Sequence, residues 1–110
     1  MQAGADLEAR DEDGRTPLHV AAGHSFNPDM AGRLLEHGAD LEARDTEGWT
    51  PLIWAAFRNQ SPGVITRLVE HGADGTARTG DGNTAWDLAQ DNEALRGTKA
   101  WWLLNEFRFE

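Results

Sequence analysis

The chain has 110 residues, 10 Lys or Arg against 19 Asp or Glu, a net charge of −9 and no cysteine. This length allows one compact domain, and 39% hydrophobic residues are enough to build its core without staples. The missing cysteines exclude disulfides, thiolate metal sites and thiol nucleophiles, and the acidic balance argues against nucleic acid and anionic lipid as partners.

The first residues, Met1 to Asp6, lack the basic start and apolar run of a secretory signal, so a cytoplasmic location is expected, and no apolar stretch is long enough for membrane insertion. Self-similarity dominates from there on. Gly-Ala-Asp stands at 4–6, 38–40 and 72–74, steps of 34, and Gly-Ala-Asp-Leu-Glu-Ala-Arg-Asp is unchanged between 4–11 and 38–45. Residues 11–44 match 45–78 at 17 of 34 positions. The expected division is a partial finger at 4–10, units at 11–44 and 45–78, and a degenerate third unit with a C-terminal cap at 79–110.

In chain order, Thr16 is the expected N-cap of a helix with Pro17 at its first position, and Leu18, Ala21 and Ala22 share one face. Asn27-Pro28 starts a second helix, which runs through Met30, Ala31, Leu34 and Leu35 to Gly38 at the left-handed C′ place. The segment from Asp40 to Gly48 suits an extended hairpin with a glycine turn. Thr50-Pro51, Ser61-Pro62 and Gly72 repeat the helix signals, and Thr84 opens a third pair. At the positions of Leu34 and Leu68 the third unit has Trp102, and at those of Leu18 and Leu52 it has Trp86. Core roles are expected for both, as for Trp54 in place of Val20, while Trp101, Phe107 and Phe109 are expected to cover the C-terminal end.

Thr16-Pro17-Leu18-His19-Val20-Ala21-Ala22 followed by Leu34-Leu35-Glu36-His37-Gly38-Ala39-Asp40 resembles the ankyrin repeat, whose Thr-Pro-Leu-His-x-Ala signature it carries. The period is 34 instead of 33, and Ile53 and Asp87 take the signature histidine's place, leaving its hydrogen bonds to His19 alone. The resemblance implies an all-α solenoid of helix-turn-helix pairs with hairpin finger loops. It also implies a non-enzymatic module that binds a protein partner through its concave face and finger tips, without a cofactor.

Partner-binding residues are sought where the copies differ while the frame holds still. These are Glu12, Asp13 and Arg15 in the first unit, Glu47, Trp49, Phe57 and Arg58 with neighbouring Arg44 in the second, and Asp81 and Asn83 in the third. Trp and Arg are enriched in binding hot spots, so the second unit is the expected centre, and a charge of −9 favours a basic partner. Replacing Trp49 and Arg58 by alanine is expected to leave folding unchanged and weaken partner capture. The alternative is a divalent-metal or small-ligand protein, with His37, His71, Asp40 and Asp74 as candidate ligands. The first unit's apolar residues Leu18, Val20, Leu34 and Leu35 need cover from their own unit, from upstream repeats or from another chain, so a monomer or weak self-association through the N-terminal flank is expected. No serine has a credible base, so catalysis is not expected.

Overall fold

The computed structural model describes residues 8–24, 28–58 and 62–107. Among them six helices follow one another: α1 (Pro17–His24), α2 (Pro28–Glu36), α3 (Pro51–Arg58), α4 (Pro62–Glu70), α5 (Ala85–Ala89) and α6 (Lys99–Phe107). Four of the six begin on a proline, which fits the first helical position because its missing N–H has no intrahelical partner there. The expected caps Asn27 and Ser61 lie outside the described residues, as does Phe109. Helices α2 and α4 end as expected, with Ala39 N–H donating to the Leu34 carbonyl and Gly38 N–H to that of Leu35, a pair repeated by Ala73 with Leu68 and Gly72 with Val69.

Helices of five to nine residues are too short to persist alone, so packing must hold them. α1, α3 and α5 form one row, α2, α4 and α6 a second, and each helix also packs on its partner in the pair. The first row is lined with Ala22, Ala55, Ala56, Ala85 and Ala89, whose small side chains permit close approach. Leu18, Leu52, Ile53, Val64, Ile65, Leu68, Leu95 and Leu104 fill the space between rows, and this apolar strip is continuous through all three pairs. The result is an elongated body of 40 × 27 × 22 Å.

The fingers depart from the expected extended hairpin. Among the described residues there is no strand. Each finger is a tight turn closed by two backbone bonds, Gly48 N–H to the Asp45 carbonyl at 3.0 Å and Asp45 N–H to the Trp49 carbonyl at 3.1 Å in the second. Side chains do the rest of the closure: the oxygen of Asp11, Asp45 or Thr79 accepts two backbone N–H groups of its own turn.

The third pair differs most. The turns between Asp91 and Gly97 add two residues relative to the second unit, so the inward positions of α6 are Ala100 and Leu104, 36 places after Val64 and Leu68. Two residues rotate a helix by about 200°, which reverses the expected roles of the tryptophan pair. Trp101 packs on Trp86 with ring centroids 4.7 Å apart, and Trp102 is 58% exposed. Phe107 lies flat on Gly75, where any Cβ would collide with its ring. Val20, expected to need shielding, is 46% exposed, whereas Leu18 is fully buried in the apolar strip.

Candidate functional site

The second finger and α3 build one connected cluster. Asp45 is buried, and its Oδ1 accepts the N–H groups of Glu47 and Trp49, both at 2.9 Å, which fixes the turn. Its Oδ2 accepts the Trp54 indole N–H at 2.7 Å, tying the finger to α3. The Trp49 carbonyl accepts His19 Nε2–H at 2.7 Å, so α1 grips the same residue from the preceding unit. His19 Nδ1 accepts the Thr16 N–H at 3.1 Å, which leaves Nε2 as the protonated nitrogen of a neutral ring. Burial pushes the His19 pKa below its ordinary value, because a charged imidazole would lose its water there.

The three aromatic rings meet over this frame. Trp49 lies 4.8 Å from Trp54 and 5.2 Å from Phe57, the latter edge-on, and Trp54 and Phe57 are 6.5 Å apart. The Arg15 guanidinium sits 4.2 Å above the Trp54 ring and 3.7 Å from Asp13. Phe57 remains 39% exposed and, with Arg58, forms one wall of a cleft of about 370 Å³. The opposite wall is Asp91, Asn92, Glu93 and Ala94. Asn92 holds it in place: its Nδ2 donates to the Ala56 carbonyl at 3.0 Å and its Oδ1 accepts the Ala94 N–H at 3.1 Å. Arg58, Asp91 and Glu93 have no ion-pair partner among the described residues.

The residues singled out in the sequence therefore fall into separate places. Trp49, Phe57 and Arg15 come together around Trp54, and Arg58 stands beside Phe57 on the cleft wall. Arg44 does not join them, since its guanidinium is spent on the Gly48 and Arg78 carbonyls at 2.8 and 2.7 Å. It lines, with Glu47 and Asp81, a wide opening of about 600 Å³ between the second and third fingers. Glu12 and Asp13 are exposed on the first finger, and Asn83 is half-buried with its N–H on Thr79 Oγ1. Trp49 is half-buried against the apolar strip, so truncating it to alanine removes packing as well as surface, contrary to the expectation of an unchanged fold.

Trp54 is buried as its core reading expected, but its link to Asp45 was missed, as were Glu93 and Ala94 of the cleft's second wall. The signal for Trp54 was the replacement of Val20 at a position that faces outward in the first unit, together with Phe57 three residues on, one helical turn away. The candidate metal ligands do not converge. His71 Nδ1–H donates to the Arg67 carbonyl at 3.0 Å, at the end of α4. Oδ1 of Asp40 accepts the Glu42 N–H and that of Asp74 accepts two donors from Thr76, which holds the Asp74 pKa below the usual carboxylate range. Among the described residues no three His, Asp or Glu groups are placed to hold an ion, and no helix is long and apolar enough to cross a membrane. A family model described as Ankyrin repeats (3 copies) matches residues 1–99. No curated protein matches the chain.

Proposed function

This chain belongs to the ankyrin repeat family, and from that premise we propose that it binds a basic protein segment across the Trp49–Trp54–Phe57 cluster and the cleft beside it. The family's members are generally protein–protein interaction modules and typically non-enzymatic. The binding frame is the set of units 11–44, 45–78 and 79–110, with the second at its centre.

One observation carries the reading: an exposed phenyl ring faces two carboxylates, Asp91 and Glu93, that have no counter-ion among the described residues. An arginine or lysine side chain suits such a cleft, its stem against Phe57 and its head between the carboxylates. Arg58 at the rim adds a forked donor for a backbone carbonyl or a carboxylate of the same segment. The exposed acids of the finger tips, Glu12, Asp13, Glu47 and Asp81, extend the field that draws a cation in.

Titration with arginine-rich peptides, followed by tryptophan fluorescence, tests this. Binding is expected to weaken about tenfold in Phe57→Ala and in the Asp91→Asn/Glu93→Gln pair, and to weaken again as salt rises. Phe57→Ala and Arg58→Ala serve better than Trp49→Ala because both side chains are exposed whereas Trp49 packs against the apolar strip, and circular dichroism checks that each variant keeps the fold. Equal affinity in the parent and in these variants refutes the proposal.

A further inference from the structure

The junctions between successive fingers use one set of backbone contacts twice. Thr46 N–H donates to the Asp13 carbonyl and Gly80 N–H to the Glu47 carbonyl, each at 3.0 Å. Arg10 Nη1 reaches the Gly14 carbonyl of its own finger at 2.8 Å and the Arg44 carbonyl of the next at 2.6 Å. Arg44 repeats this with Gly48 and Arg78. The approach is close: a Cβ on Gly14 would lie 3.0 Å from Thr46 N, and one on Gly48 3.1 Å from Gly80 N.

The third finger presents the same groups with their outer side uncovered. Arg78 Nη1 donates to the Gly82 carbonyl at 2.8 Å and has no second acceptor among the described residues. A Cβ on Gly82 would meet nothing within 4 Å. The Asp81 carbonyl, in the place of those of Asp13 and Glu47, accepts no bond among the described residues. An occupant of this edge must offer a carbonyl and, two residues later, an N–H on the same side of a tight turn. The first finger offers them: the Arg10 carbonyl and the Glu12 N–H are the counterparts of the Arg44 carbonyl and the Thr46 N–H, and neither is bonded among the described residues.

We infer that the third finger's open edge docks the first finger of a second copy of this chain, continuing the finger ladder head to tail. The helices add apolar surface to the same junction. Met30 is 48% exposed, although Val64, its equivalent one unit on, is fully buried. Trp102 is 58% exposed on the side of α6 opposite Ala100 and Leu104. Two features keep the contact weak. Thr76 stands where Glu8 and Glu42 each accept an N–H from the following unit, at Asp40 and Asp74, so that bond has no counterpart here. Both edges are also acidic, and chains of charge −9 repel one another. Because the contact joins two different surfaces and does not close on itself, assembly proceeds beyond a dimer as concentration rises.

Light scattering and sedimentation across concentration test this, at about 50 and about 500 mM salt. The average mass is expected to rise with concentration and to rise more at high salt, the opposite of the salt effect on basic-peptide binding, so the two readings fail separately. Glu12→Pro removes the docking N–H at a turn position where proline fits, and Glu12→Ala removes the same charge but keeps the N–H. Glu12→Pro is expected to weaken association about tenfold or more, while Glu12→Ala associates at least as well as the parent. Arg78→Gln, which removes the guanidinium arm without touching the first finger, is expected to follow Glu12→Pro. A parent chain that stays monomeric at high salt overturns the inference, as do Glu12→Pro and Glu12→Ala behaving alike.

Discussion

Asp45 joins a turn to a helix with one carboxylate, and its three bonds are what hold the aromatic cluster in register. Asn in its place can satisfy the two backbone donors with its oxygen, but then its amide points N–H at the Trp54 indole N–H. Asp45→Asn is therefore expected to destabilise by about 1–3 kcal/mol. In a Trp54→Phe background, where the opposing donor is gone, the same change should cost much less. Urea unfolding of the four proteins decides it, and equal costs in both backgrounds would sink the account. At this scale Trp49, Phe57 and Arg58 stand out in the sequence because their equivalents in the first unit differ. The bond from Asp45 to Trp54 did not stand out, because the same residue type at Asp11 serves an exposed turn.

The fingers show the same residue type meeting different demands in one element. Gly14, Gly48 and Gly82 all have φ between 76° and 85°, a region that costs a residue with a Cβ about 1–2 kcal/mol. Gly48 carries a second demand, since the next finger's backbone nitrogen lies only 3.1 Å from where its Cβ would stand. Gly82→Ala is expected to cost about 1 kcal/mol and Gly48→Ala at least twice as much, read from thermal unfolding midpoints. The starts of α1 to α4 and the ends of α2 and α4 were legible down to single residues, because Pro and Gly act through their own backbone chemistry. The orientation of α6 was not, because two extra residues in the preceding turns rotate it by about 200° while leaving its composition untouched.

Across the whole molecule, stability is approximately the sum of its units and the junctions between them, and His19 carries one junction through the Trp49 carbonyl. In the unfolded chain this imidazole takes up a proton near its ordinary value of 6.5, whereas in the folded chain burial delays it to lower pH. The unfolded state thus binds the extra proton first, and stability declines as pH falls below about 6.5. His19→Ile, which copies the residue at position 53, is expected to lower the urea midpoint at neutral pH and to flatten its decline between about pH 7.5 and 5.5. An unchanged slope would remove His19 from that role. The sequence by itself determined the repeat period and the proline starts of α1 to α4, because each follows from local signals that recur every 34 residues. Only the tertiary structure decided which charges are spent on neighbouring backbone, as with Arg44 and Glu42, and which have no ion pair among the described residues, as with Asp91 and Glu93. It also decided that Trp54 faces the aromatic cluster and Trp102 the solvent. The reason is that contacts between units depend on where each stacks on the next, and no residue encodes that placement alone.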